Sequence, residues 1–259
     1  MKPTLSIVKI GGALLEDQNS LVAFLKAFAN IPGAKILVHG GGKKASSILA
    51  KMGIEPKMVN GRRVTDQASL DVVTMVYAGL TNKNVVAQLQ SLGTNAIGMS
   101  GADANSIKAH KRPVKEIDFG FAGDIDSVDA TVVSGLLSIG LTPVFCALTH
   151  DTKGQMLNTN ADTIAAELAI SLSEQFSTTL NYCFELDGVL EDIQNPSSLL
   201  KEINQELYLR LKAAGKIADG MLPKLHNCFD ALQRGVDSVR IGNLGLFDTS
   251  SNQFTQLSL

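Results

Sequence analysis

Lys9, Asp162 and Lys224 lie far apart in the chain, yet each falls in a short segment where a strand pattern hands over to a helix pattern. The segments are Lys9-Ile10-Gly11-Gly12, Asn158-Thr159-Asn160-Ala161-Asp162 and Asp219-Gly220-Met221-Leu222-Pro223-Lys224. A fourth segment, His39-Gly40-Gly41-Gly42, opens a helix pattern with consecutive bare amides, an anion nest reinforced by the helix dipole. Two ammonium groups, a carboxylate to organise them and a run of amides suit a moving phosphoryl group, whose charge must be matched throughout its transfer.

Taken singly, each segment also has a plainer reading. A lysine at a strand end can run its stem along apolar surface into water. Either Asn158 or Asn160 can cap a helix, and Asp162 in a first turn complements the dipole. One cap suffices for one helix, however, so the second asparagine is free to meet a ligand. Lys224, close to the positive end of a helix starting near Met221, opposes the dipole unless an anion sits between them. Asn60-Gly61-Arg62-Arg63-Val64-Thr65-Asp66 joins a tight turn to a short strand and a helix cap. Arg63 in it is a candidate fork for a carboxylate, beside the equal reading of a solvated arginine. His39 either contacts a phosphate or caps a turn.

Other chemistries fit less well. Gly40, Gly42 and Ala45 match the loose dinucleotide spacing, but after the second strand rather than the first, and a nicotinamide enzyme has no use for the two lysines. No Walker A sequence occurs. His39, His110, His150 and His226 lack paired metal-ligand spacing and the cysteines form no C-x-x-C, so no protein-held metal is expected. Asp124 and Asp126 read as loop carboxylates.

The elements that must bring these residues together are those of an α/β protein. The chain has 259 residues, 45% hydrophobic and 19% charged, enough for a substantial core in one large domain or two lobes. Lys+Arg of 23 against Asp+Glu of 25 gives a net charge of -2, so no global field favours nucleic acid or an anionic membrane, and any anion must be gripped locally. Cys146, Cys183 and Cys228, odd in number and set among apolar residues, point to reduced thiols and a cytoplasmic location. No signal-peptide pattern precedes Leu5, and the uncharged stretch 130–149 is broken by Gly135, Gly140 and Pro143 into helix, turn and strand rather than a membrane span.

Strands are predicted at Leu5 to Ile10, Lys35 to Val38, Ala96 to Met99, Pro143 to Ala147, Thr179 to Phe184 and Ser238 to Ile241, with helical periods between them. The principal helices run from Leu21 to Phe28, Lys43 to Met52, Asp66 to Ala78, Asn84 to Leu92, Ala130 to Ser138, Ala161 to Leu172, Gln205 to Ala213 and Leu222 to Arg234. Hairpins are expected around Lys57 to Val64 and Ser106 to Phe121, and a seam between lobes at Ser171 to Thr178.

In order, these segments resemble the amino acid kinase family, and within it the branch acting on N-acylated glutamate. The likeness runs through Lys9-Ile10-Gly11-Gly12, Val38-His39-Gly40-Gly41-Gly42, Asn60-Gly61 with Arg63-Val64-Thr65, and Ala78-Gly79 with Asn82-Lys83. It continues through Gly120-Phe121 with Gly123-Asp124, Asn158 with Asn160-Ala161-Asp162, and Asp219-Gly220-Met221 with Lys224. The resemblance implies a mainly parallel central sheet sandwiched between helices and shared by two lobes, residues 1–172 for acylglutamate binding and dimerisation and residues 173–259 for ATP. It implies transfer of the γ-phosphoryl group of ATP, accompanied by Mg2+, to the side-chain carboxylate of N-acetyl-L-glutamate in arginine biosynthesis. An N-succinylglutamate substrate, or a non-catalytic sensor of the same fold, stands as the alternative.

By the same resemblance Lys9, Asp162 and Lys224 are catalytic, and Gly41, Gly42, Arg63, Asn158 and Asn160 hold the acylated amino acid. Lys9, Gly11, Gly12, Asp187, Gly188, Val189, Gly220, Met221 and Lys224 meet the nucleotide. One departure stands out. Phe184-Glu185-Leu186-Asp187-Gly188-Val189 replaces the family's usual Thr or Ser followed by Asp, so a hydroxyl is lost and Glu takes the acid's place. The chain starts almost at its first strand, without the extra N-terminal helix of hexameric, arginine-inhibited members, which implies a homodimer without that feedback.

Overall fold

The computed structural model describes residues 1–59, 61–192, 194–214, 221–248 and 253–259. Its strands are β1 Thr4–Ile10, β2 Ala34–His39, β3 Met58–Val59, β4 Arg62–Arg63, β5 Ala96–Met99, β6 Ile107–Lys111 and β7 Gly123–Val128. They continue as β8 Thr142–Cys146, β9 Leu148–His150, β10 Met156–Asn158, β11 Ser177–Cys183, β12 Glu202–Asn204, β13 Ser238–Gly242 and β14 Phe254–Ser258. The α-helices are α1 Gly12–Glu16, α2 Gln18–Ala29, α3 Gly42–Lys51, α4 Gln67–Thr74, α5 Asn82–Ser91, α6 Ala130–Ser138, α7 Ala161–Leu172, α8 Gln205–Ala213 and α9 Leu222–Gln233.

Eight strands form one sheet in the order β12-β14-β13-β11-β1-β2-β8-β5, parallel except where β13 meets β14. β1 sits in the middle because its residues are apolar on both faces. Leu5 and Ile7 pack with α7 and α9 residues such as Leu168 and Leu225, whereas Val8 and Ile10 pack with Phe24 and Leu25 of α2 and Leu89 of α5. Side chains alternate along a strand, so Lys9 shares the face of Ile7 and is aimed at α7. The mostly parallel sheet with helices on both faces is the architecture its glycine-bounded apolar runs predict. It passes the expected seam unbroken, since β1 pairs with β11 along its whole length.

Differences from the sequence reading lie at the edges. β12 and β14 are short strands that complete one side of the sheet, with too few residues for a period to declare itself. The hairpin expected over Ser106 to Phe121 is instead β6 paired with β7, and β9 and β10 extend it into a four-stranded sheet. Asp124 and Asp126 therefore lie on a strand rather than in a loop, and they pair with Arg112 and His110. The β3–β4 hairpin forms where expected, although Asn60 in its turn lies outside the described residues. The helix expected to end near Ala78 passes at Met75 into a π-helical turn, Met75–Thr81, that runs directly into α5. The wider turn brings Tyr77 and Thr81 against Gly41, and it precedes Asn82, which reaches the end of β2.

His39 ends β2 in a fully buried position. Its Nδ1 donates to the Gly40 carbonyl at 2.7 Å, and its Nε2 accepts from Asn82 Nδ2 at 3.0 Å. Asn82 Nδ2 also donates to the Val144 carbonyl at 2.9 Å, fastening β2, β8 and α5 together. Of the two readings for His39, the structure gives the turn cap. Burial pushes this imidazole down to about 4. An unfolded chain takes up the proton near 6.5 and the native one only near 4, so between these values the unfolded state holds more protons and stability falls as pH drops. We expect this group to remove roughly 3 kcal/mol across that window. Urea midpoints measured from pH 7 to 4, with the His39 imidazole resonances followed in parallel, check it; an imidazole that titrates near 6.5 in the folded protein refutes it.

Candidate active site

The carboxylate of Asp162 is the meeting point of the site. Its Oδ1 lies 2.7 Å from Lys9 Nζ and its Oδ2 4.0 Å from Lys224 Nζ, with the three side chains only 14–19% exposed. Each arrives on a different element: Lys9 from the end of β1, Asp162 from the first turn of α7 and Lys224 from the first turn of α9. Asn160 fixes the start of α7, its Oδ1 accepting from the amides of Asp162 at 2.8 Å and Thr163 at 3.1 Å. Tyr182, opposite Lys9 on β11, donates its hydroxyl to the Asp162 carbonyl at 3.2 Å.

Electrostatics follow from this packing. Burial pushes the Asp162 carboxyl up, but the Lys9 and Lys224 charges outweigh it and hold the group below the usual carboxylate range. For Lys224 burial wins, and its ammonium titrates below the ordinary lysine value although Asp162 opposes the shift. Asp162 is thus an ionised anchor for two cations, not a group poised to take a proton.

A second cluster surrounds Arg63, which is 7% exposed. Its Nη2 donates to the Gly42 carbonyl at 2.9 Å and to Ser46 Oγ at 2.6 Å, while its Nη1 is buried with no partner among the described residues. Arg63 lines a cleft of about 180 Å³ together with Gly42, Tyr77, Asn158 and Asn160. A buried guanidinium nitrogen without an acceptor is costly unless an anion enters, and the fork favours a carboxylate. The two asparagines divide their work: Asn160 is the cap, and Asn158 donates to the buried Thr65 Oγ1 at 3.0 Å with its side chain on the cleft wall.

The glycine turn beside Arg63 admits no side chain. Gly41 has φ 151°, and a Cβ there would meet the Tyr77 ring at 2.9 Å. The carbonyls of Gly40, Gly41 and Gly42 are bonded to His39, Ala45 and Arg63, and at the start of α3 the amides of Gly41 and Gly42 have no acceptor within that helix.

On the other side the glycines differ among themselves. The Gly11 amide donates to the Cys183 carbonyl at 2.7 Å and is not open to a phosphate, whereas Gly12, with nothing within 4 Å of a notional Cβ, leaves room for one. Asp187 accepts from Asn243 Nδ2. A Cβ on Gly188 would meet Thr255 Oγ1 at 2.5 Å, and the Val189 amide donates to that same hydroxyl at 2.8 Å. These three residues are tied to the loop after β13 and to β14. Met221 precedes α9, while Asp219 and Gly220 lie outside the described residues. Sequence reasoning missed Ser46, Tyr77 and the pair Tyr182 and Phe184. Ser46 had a readable signal, because it sits one helical turn beyond Gly42 on α3.

The amino acid kinase family matches residues 4–243. An acetylglutamate kinase of Bacteroides fragilis is 53% identical over 93% of this chain and 92% of its own length, and one of Bacteroides thetaiotaomicron 52% identical over 93% and 94%. Among solved structures, an N-acetylglutamate synthase from Neisseria gonorrhoeae in complex with coenzyme A and N-acetyl-glutamate superposes with a TM-score of 0.84 at 22% identity, covering 99% of this chain and 59% of that one. With its lysine–aspartate–lysine cluster at the carboxyl ends of a continuous parallel sheet, the chain belongs to the amino acid kinase family.

Proposed function

We propose that this chain transfers the γ-phosphoryl group of ATP to the side-chain carboxylate of N-acetyl-L-glutamate, giving N-acetylglutamyl 5-phosphate. The observation that carries the reading is the unpartnered, buried Nη1 of Arg63, in a cleft whose wall includes Asn160 and Ala161, the residues that lead into Asp162. A small acid bound there places one carboxylate on the guanidinium and can direct the other toward Lys9 and Lys224. The names carried by relatives with about half their residues in common support the same substrate.

The chemistry needs no general base. A glutamate side chain has an ordinary pKa of about 4.3 and is already a nucleophile at neutral pH. The protein's task is to bring two anions into line and to offset their repulsion. In this reading Lys9 and Lys224 neutralise the transferring group and the leaving diphosphate, Asp162 orients both, the Gly12 amide receives a phosphate oxygen, and the Gly41 and Gly42 amides face the acylated amino acid. Arg63, Asn158 and Asn160 hold the acylated amino acid. Mg2+ would be held by the triphosphate, because Asp162 is already neutralised by two ammonium groups and the cation supplies charge to phosphate oxygens.

We assign acid binding to residues 1–172 and ATP to residues 173–259, with Met221 flanking the phosphates and Asp187, Gly188 and Val189 forming a wall braced by Thr255 and Asn243. Buried free thiols at Cys146, Cys183 and Cys228 support a cytoplasmic location, and a homodimer belongs to the same reading.

Hydroxamate trapping with ATP, Mg2+ and N-acetylglutamate should yield the acyl hydroxamate, with N-succinylglutamate the poorer acceptor; no hydroxamate from either sinks the reading. Lys9→Ala and Lys224→Ala should each lower kcat by about 10²- to 10³-fold, since each removes charge matched to the transition state. Arg63→Ala should instead raise KM for the acyl amino acid about tenfold to a hundredfold with a smaller change in kcat, as steady-state kinetics will show.

A further inference from the structure

The two lysines on Asp162 are held in different ways. Lys9 is in close ion-pair contact with the carboxylate, its Nζ 2.7 Å from Oδ1. Lys224, at 4.0 Å, is outside hydrogen-bond distance, and among the described residues its Nζ makes no hydrogen bond. It stands instead over two aromatic faces, 5.7 Å from the Tyr182 ring centroid and 5.3 Å from that of Phe184. Both distances fall within the range of a cation–π contact.

The sheet explains why both rings are there. Tyr182 is opposite Lys9 in the β1–β11 register, and a strand's period of two turns Phe184 toward the same side. Tyr182 is 1% exposed and its hydroxyl is tied to the Asp162 carbonyl, so its face is rigid. Phe184 is anchored by its own amide, which donates to the Gly242 carbonyl at 2.9 Å. Phe184 also crowds Gly11, where a Cβ would lie 3.2 Å from Phe184 Cβ and 3.3 Å from the Cys183 carbonyl oxygen. Gly11, with its amide already bonded, is thus explained by the approach of Phe184.

We propose that Tyr182 and Phe184 form an aromatic cradle that holds the Lys224 ammonium by its charge while leaving its N–H donors free for the moving phosphoryl group, which makes Phe184 a positioning residue for transfer. The inference rests on the phosphoryl-transfer reading above, but the cradle itself can be tested without turnover. A π face attracts a cation and accepts no conventional hydrogen bond from it, so a lysine resting there, with Asp162 4.0 Å away, can turn toward phosphate oxygens without giving up a hydrogen bond to the rings. A carboxylate in close ion-pair contact, as on Lys9, holds more tightly and releases less readily. Phe184 thereby restrains Lys224 without the hydroxyl that the family pattern places at this position.

Two measurements decide. In ligand-free protein labelled with [13Cε]lysine, the Lys224 Hε resonance, identified by its loss in Lys224→Arg, should lie upfield of its position in Phe184→Leu because of ring currents. If Phe184→Leu does not fold, the reference is the urea-unfolded wild type. In steady-state assays Phe184→Leu should lower kcat about fivefold to thirtyfold, leave KM for N-acetylglutamate within about twofold, and be rescued by Phe184→Tyr. An unshifted Lys224 resonance overturns the cradle, as does a Phe184→Leu enzyme with full kcat or a loss that Phe184→Tyr shares equally. A shifted resonance in a wild-type protein that phosphorylates no acylglutamate would sink the substrate reading and leave the cradle standing.

Discussion

An ionised carboxylate shared between two ammonium groups, largely out of water, is the constraint around which this molecule is organised. Two lysines brought together alone would repel each other, and burial would drive off one proton. Asp162 between them offsets that repulsion. Its own position is fixed by the Asn160 cap and by the Tyr182 hydroxyl, so α7 and β11 together set where positive charge is offered. The cost of burying the charges falls when triphosphate oxygens replace lost water, which gives such a cluster a reason to lie at an open cleft rather than in the core.

The same logic explains the second cluster. Arg63 gives one nitrogen to the Gly42 carbonyl and Ser46 and keeps Nη1 without a partner among the described residues, a local penalty that an acidic ligand, in the proposed reading, would remove. Gly41 cannot be replaced without a collision with Tyr77, and Tyr77 reaches that point through the π-helical turn. Local irregularity and binding geometry are thus one feature. A regular helix through Met75 to Thr81 would rotate Tyr77 and its successors away from their present neighbours.

Much of this was legible in the sequence. Glycine-bounded apolar runs gave the parallel strands because the sheet is buried on both faces, and Lys9, Asp162 and Lys224 declared themselves by lying at strand-to-helix junctions. The two asparagines before α7 were separable in principle, since one cap suffices for one helix; the coordinates make Asn160 the cap and bond the Asn158 amide to Thr65. What stayed hidden depended on register or on close approach. Nothing local in Asp187-Gly188-Val189 reveals that Thr255, near the chain's end, braces that turn. The partners of Asp124 and Asp126 became visible only once β6 and β7 were paired. Tyr182 and Phe184 read as ordinary strand residues until the β1–β11 register sets them beside Lys9 and beneath Lys224.

The central place of β1 bears on how the chain comes to be made. This strand is made well before its partner β11, and one of its edges stays without that neighbour until residues 177–183 have been synthesised. During that interval a flat apolar ribbon is open on one side, the state in which strands recruit wrong partners. Pairings this distant in sequence also form slowly, because a long loop must close before the contact is rewarded. A truncated or stalled product that stops short of β11 would therefore leave one edge of this apolar strand open to wrong partners.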